Sequence, residues 1–143
     1  MRTAILPLLV LISLLSAACN RSAQADVGFA QKTFQALAQG DETVAADIDW
    51  KVLQSMGIDV GLAYVVLASD EERARFREGF ITQFASAFKN SGSKAEDFTH
   101  WRAASHGDMD TVVKADGPGG TLTITVSHRE DKQQLSSIQK NQP

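Results

Sequence analysis

The capacity of this sequence for acid–base or metal chemistry rests on His100, His106, His128 and a few carboxylates. His106-Gly107-Asp108-Met109-Asp110 sets one imidazole and two carboxylates within five residues, donors that a hard or borderline metal could use. Metal sites need three or four ligands held by rigid elements. Gly and Asp in such a run are also the ordinary chemistry of a turn between strands, and the run is read as a turn, with no metal and no cofactor assigned. His128 falls on the apolar side of an alternating segment. It could act as a pocket base, but a rim histidine with a satisfied hydrogen bond is the commoner case. Asp47 and Asp49 beside Trp50 could contribute to a cyclase- or isomerase-type site, yet residues two apart do not share a helix face. The sequence holds no Gly-rich phosphate loop, no nucleophile elbow and no HExxH, so no catalytic residue is assigned.

The remaining reactive side chain is the single cysteine, Cys19. An uncharged apolar block runs from Ala4 to Leu15 behind Arg2, about 12 residues where a spanning helix needs about 20. That is the make-up of an export leader. Leu15-Ser16-Ala17-Ala18-Cys19 follows, and it resembles the lipobox of bacterial lipoproteins. The resemblance implies lipidation of the Cys19 thiol, cleavage before it, and removal of residues 1–18. An ordinary secretory signal with a free Cys19 is the rival reading. With one cysteine there is no intramolecular disulfide and no multi-cysteine metal site. Asn20, not aspartate, follows the cysteine; by the enterobacterial sorting rule the protein would reach the outer membrane, facing the periplasm, rather than stay at the inner membrane.

Charge narrows the partners. Lys and Arg number 14 against 17 Asp and Glu, a formal net charge of −3, and loss of Arg2 with the leader makes the chain more acidic. No basic cluster stands out, which argues against nucleic acid. The membrane would be held through acyl chains instead, each buried CH₂ contributing about 0.8 kcal/mol.

After residues 19–26, read as a lipidated N-terminus and short polar tether, residues 27–140 form one domain and 141–143 a tail. A first helix is expected from Val27 to Gln39, capped by Asp26 and ended by Gly40. A second is expected from Thr43 to Met56, with Val44, Ile48, Val52 and Met56 on one face and Trp50 off it. Gly57 to Leu67 reads equally as short helix or extended segment. Ser69-Asp70-Glu71-Glu72 is a capping box. It opens a third helix carrying Phe76, Phe80, Phe84 and Phe88, which ends between Asn90 and Gly92; a sheet is the expected cover for its aromatic face.

Beyond Gly92 the period changes from 3.6 to 2. Strands are expected over 97–105, 109–115, 121–128 and, more weakly, 134–139. A turn at Asp116–Gly120 and another at Glu130–Lys132 separate the later ones. Leu122, Ile124, Val126 and His128 take one face of the third strand, and Thr121, Thr123, Thr125 and Ser127 the other.

The order of elements, with Phe34-Gln35-Ala36-Leu37-Ala38-Gln39-Gly40-Asp41 at its opening, resembles the cystatin-like cone of the nuclear-transport-factor-two superfamily. Asp49-Trp50, the Gly61 region and Ser69–Phe76 are locally similar to periplasmic phospholipid carriers of the Mla pathway. The resemblance implies an α+β fold: about three N-terminal helices on a bent, three- to four-stranded antiparallel sheet, with a pocket between them. Three functions fit. One is a non-catalytic, membrane-anchored domain taking a small apolar ligand or lipid in that pocket, with His128, Trp50 and Tyr64 as candidate ligand-binding residues. Another is an accessory lipoprotein that binds a second envelope protein. The third is a cyclase- or isomerase-type enzyme, which requires His128 or His100 in the cavity, facing a carboxylate.

Overall fold

The computed structural model describes the backbone from residue 5 and side chains from residue 22; the leader's first residues and the Cys19 side chain lie outside the described residues. One helix, α1, runs Ile5–Gln39. Its C-terminal half buries Val27, Ala30, Phe34 and Leu37, a spacing of three and four that puts them on one face. Gly40, at φ 73°, ends it. Two expectations change here. The backbone of residues 20–25, read as a tether, is helical, and Asp26 is no cap but an interior residue, buried on the same face.

The helix expected over Thr43–Met56 does not form. A short 3-10 helix, Glu42–Asp47, is capped by the Asp41 side chain, and the chain then extends. Residues 48–50 are buried without interruption, Ile48 bridges Leu135, and Trp50, off the expected stripe, is enclosed. Consecutive burial of this kind suits an extended segment laid beside a sheet, not one face of a helix. Two short strands follow, β1 (Gln54–Ser55) and β2 (Ile58–Asp59), then α2 (Val60–Val65), which settles the ambiguous stretch as hairpin plus helical turn.

Helix α3 spans Asp70–Asn90. Both arms of the capping box form: Ser69 Oγ accepts from the Glu72 amide at 3.1 Å, and the Glu72 carboxylate accepts from the Ser69 amide at 3.1 Å. A 3-10 turn at Ala95–Asp97 leads to four long strands: β3 (Thr99–His106), β4 (Asp110–Gly117), β5 (Gly120–Arg129) and β6 (Lys132–Asn141). These are the four strands expected from the alternation, joined by the expected turns.

The result is a mixed α+β fold with a six-stranded sheet ordered β2-β1-β6-β5-β4-β3. It has more strands than the three or four expected, because β1 and β2 are too short to leave a period. All pairings are antiparallel except β1 beside β6. Leu122, Ile124 and Val126 of β5, Val113 and Ala115 of β4, and Leu135 and Ile138 of β6 form the sheet's inner face. Helix α1 lies across that face, against β3, β4, β5 and β6.

Helix α3 behaves otherwise. It packs chiefly on α1 and the Glu42–Asp47 helix rather than on the sheet. Ile81 is its one buried residue, and Phe76, Phe80, Phe84 and Phe88 are each half-buried. The sheet expected to cover the stripe covers it only in part. The stripe also divides. Phe88 joins Phe34 and Phe98, with ring centroids 5.5 and 6.1 Å away, whereas Phe80 packs edge-on against Trp50 at 5.5 Å and Phe76 against Tyr64 at 5.8 Å.

Candidate functional site

Two features of this fold can do chemistry or binding. The first begins at Asp26. Because α1 continues N-terminally beyond it, its carboxylate lies inside the helix–sheet interface, fully enclosed. A buried carboxylate is costly unless donors surround it. Gln133 Nε2 donates to Oδ1 at 2.7 Å and the Thr111 hydroxyl donates to Oδ2 at 2.6 Å. His128 Nε2 lies 2.9 Å from Oδ1. His106 Nδ1 lies 2.6 Å from Thr111 Oγ1 and 3.6 Å from Asp26 Oδ2.

The direction of each bond follows from the carboxylate, which only accepts. His128 must donate through Nε2. Thr111 spends its one hydrogen on Asp26, so its oxygen accepts from His106 Nδ1. Both imidazole tautomers are thereby set by one acid, and the second nitrogen of each ring points away from it. The two side chains are 27% and 26% exposed, and their centroids are 6.5 Å apart. Among the described residues, no group of three or more His, Cys, Asp and Glu is arranged to hold a metal.

Asp26, Thr111 and Gln133 escaped the sequence reading. A signal did exist for Asp26: carrying the α1 period back one turn places it with Ala30, Thr33 and Leu37. His106 sits at the end of β3 rather than in the turn, while Asp108 and Asp110 stay exposed and take no part. His100 is exposed on β3, 3.3 Å from Asp116. His128 does face a carboxylate, as the enzyme reading requires, but neither it nor His106 lines any of the clefts described below.

Trp50 and Tyr64 meet at 5.9 Å. Both rings are mostly enclosed: the Trp50 indole N–H donates to Ala45 O at 2.9 Å, and Arg77 donates to the Tyr64 hydroxyl at 2.9 Å. They border an open, mostly polar hollow of about 390 Å³ that also holds Lys51, Arg129 and Glu130. There Asp49 is paired with Arg129 at 3.4 Å. These two candidate residues share a wall, but His128 is not on it.

The second feature is the gap that α3 leaves. A cleft of about 210 Å³ opens between α3 and the sheet, walled by Phe34, Phe84, Phe88, Phe98 and Leu122, with Met56 and Lys140 at its edges. Met56 and Phe84 also border a neighbouring cleft of about 360 Å³, walled by Phe76, Phe80, Ile58 and Val60. The two clefts share Met56 and Phe84 and so adjoin along α3, an apolar furrow in two parts. Met56 and Ile58 of these walls are large and exposed, as are Leu62, Val65 and Val66 in the segment that follows, Ile58 at 65% and Val66 at 73%. An exposed apolar surface of this kind marks an interaction site more often than chance. None of its walls was a candidate in the sequence, since the phenylalanine stripe looks the same whether a sheet covers it or not.

Comparison with known protein families, with characterised proteins and with solved structures finds no match to this chain.

Proposed function

We propose that this protein is a lipid-anchored envelope lipoprotein whose domain, without catalysing a reaction, binds a small apolar ligand or lipid in the furrow between α3 and the sheet. One observation carries the reading: a helix with four phenylalanines on one face is held off the sheet, and all four stay half-buried. A filled core would have closed that gap, because packed interiors leave few voids larger than a water molecule. Together the two clefts fall within the usual range for ligand sites. The lipobox supplies the address: Cys19 as the acylated N-terminus, and Asn20 favouring the outer membrane. Among the described residues no helix is long and apolar enough to cross a membrane.

The cystatin-like cone of the nuclear-transport-factor-two superfamily is the architecture we propose for the domain. Its support is the chain order of helix, hairpin, helix and four-stranded meander, with β1 returning beside β6 to complete the sheet.

A protein partner in the envelope is the second reading. It draws on exposed Leu62 and Val65 of α2 and Val66 just after it, which lie outside the cleft walls.

Mass spectrometry of the native, membrane-extracted protein tests both address and cargo. The expected spectrum shows a diacyl or triacyl modification on an N-terminal Cys19 and a co-purifying small molecule. An unmodified sulfur, or a different first residue, overturns the address. Cys19→Ala is expected to leave the domain folded and move it from the membrane to the soluble fraction.

A further inference from the structure

The furrow along α3 is not the same at its two ends. Where it meets the C-terminus of α3, Lys140 of β6 lines the apolar cleft itself. Past Phe88 and Ser93, which that cleft shares with an open hollow of about 500 Å³, stand Lys89 and Lys94. No acidic residue lines either space. Among the described residues none of the three lysines forms an ion pair, although the chain as a whole carries a net negative charge. Lys89 has an evident structural use, since a cation in the last turn offsets the helix dipole. Lys140, on a strand, has none. The opposite end of the furrow carries Asp59, which caps α2, and no basic residue.

We propose that the furrow takes a single-chain amphiphile with a carboxylate head, a long-chain fatty acid, its tail along Phe84, Phe80 and Phe76 and its head at Lys140. The proposal rests on the ligand-binding reading above and adds the head chemistry and the direction of the chain. Apolar walls account for the tail, as each methylene withdrawn from water is favourable. An ammonium at the rim, near apolar surface that lowers the local dielectric, favours an anion over a neutral polar group. Clefts of about 210 and 360 Å³ offer little volume beyond a single chain, which sets a free acid apart from a two-chain lipid.

Calorimetry on the full chain carrying Cys19→Ala, purified without detergent, tests this with dodecanoate, dodecanol and dodecyl phosphate below their aggregation limits. Dodecanoate is expected to bind with one site and at least about ten-fold more tightly than dodecanol, the factor a charge-assisted hydrogen bond supplies. Lys140→Ala should remove most of that preference, weakening dodecanoate far more than dodecanol. Its side chain is exposed, so the fold should be retained. Equal binding of acid and alcohol overturns the anionic head and leaves the apolar furrow standing. Tighter binding of dodecyl phosphate overturns the carboxylate. Binding of none of the three overturns this proposal together with the ligand-binding reading beneath it.

Discussion

Asp26 and His128 stand 102 residues apart in the chain, and their side chains meet at 2.9 Å in the interface between α1 and the sheet. The acid is enclosed and the imidazole sits at the rim, so the bond runs from the interior to the surface. With Thr111 from β4 and Gln133 from β6 added, one helical carboxylate ties together three neighbouring strands. Asp26 lies two turns beyond Cys19 on the same helix. The element that would carry the lipid is therefore fastened to the sheet by polar contacts as well as by the Val27–Leu37 stripe.

Asp26→Ala should destabilise the domain by about 3 kcal/mol, because it strands three donors at an interface that water does not fully reach. Asp26→Asn keeps one acceptor for His128 or Gln133 but presents an NH₂ group to another donor, and should fall between alanine and wild type. Denaturant melts of the three proteins would decide. If alanine shifts stability by less than about 1 kcal/mol, the cluster does not fasten the helix.

Sequence periodicity reached the four long strands and α3 because each is long enough to show its period and ends in a chemical mark: Gly117-Pro118-Gly119-Gly120, Glu130-Asp131, or the Ser69 capping box. It failed over residues 43–56. Val44, Ile48, Val52 and Met56 imitate helical spacing, yet Trp50 and Leu53, off that stripe, are buried while Met56 is exposed. The contacts that decide this segment, such as Ile48 with Leu135, lie far along the chain and leave no local trace. The candidate sites follow the same division. His128 was visible by alternation, but its acid was hidden behind a misplaced helix start. The furrow depends on how far α3 stands from the sheet, which no residue pattern encodes.

The phenylalanines allow a direct test of that spacing. Phe34 is 1% exposed, with Phe88, Phe98 and Trp101 within 5.0–5.9 Å, so Phe34→Ala should cost about 3–5 kcal/mol. Phe80, at full helical spacing, would rank with it if the sheet covered α3. Half-buried beside an open cleft, it already lacks neighbours on one side, and Phe80→Ala should cost roughly half as much. Equal losses in thermal melts would mean that the furrow is closed in solution.

Asp41 supplies a pH-dependent contribution whose sign is fixed. Its carboxylate accepts from the Thr43 hydroxyl at 2.7 Å and from the Thr43 amide at 3.0 Å. The hydroxyl bond first, and the amide bond second, hold its pKa below the ordinary 3.8 against a slight opposing effect of burial. A folded-state value below the unfolded one stabilises the fold above the unfolded pKa, and that contribution disappears as pH falls through the folded value. Thr43→Val removes the larger cause. Asp41 should then titrate closer to 3.8, and its contribution to stability should be smaller and be fully lost at a higher pH. Carboxyl NMR titration of both proteins would show it; an unchanged Asp41 curve would count against the hydroxyl bond.

Gly61 marks the closest approach of two backbones beside the furrow. A Cβ there would stand 2.5 Å from Lys51 O and 2.9 Å from Val52 Cα, both main-chain atoms that no rotamer change can move. The Gly61 amide also donates to Leu53 O at 2.9 Å, so α2 cannot retreat without losing that bond. Gly61→Ala should therefore cost about 2–3 kcal/mol through overpacking, despite alanine's higher helix propensity. Gly79, on α3, would place a Cβ in open space, and Gly79→Ala should be neutral or stabilising by up to about 1 kcal/mol. Opposite shifts of the two melting temperatures would establish that α2 is pinned to the 51–53 segment by backbone contact. Were Gly61→Ala to melt with wild type, α2 would have to stand farther off, and the wall of the furrow formed by Val60 and Ala63 would move with it.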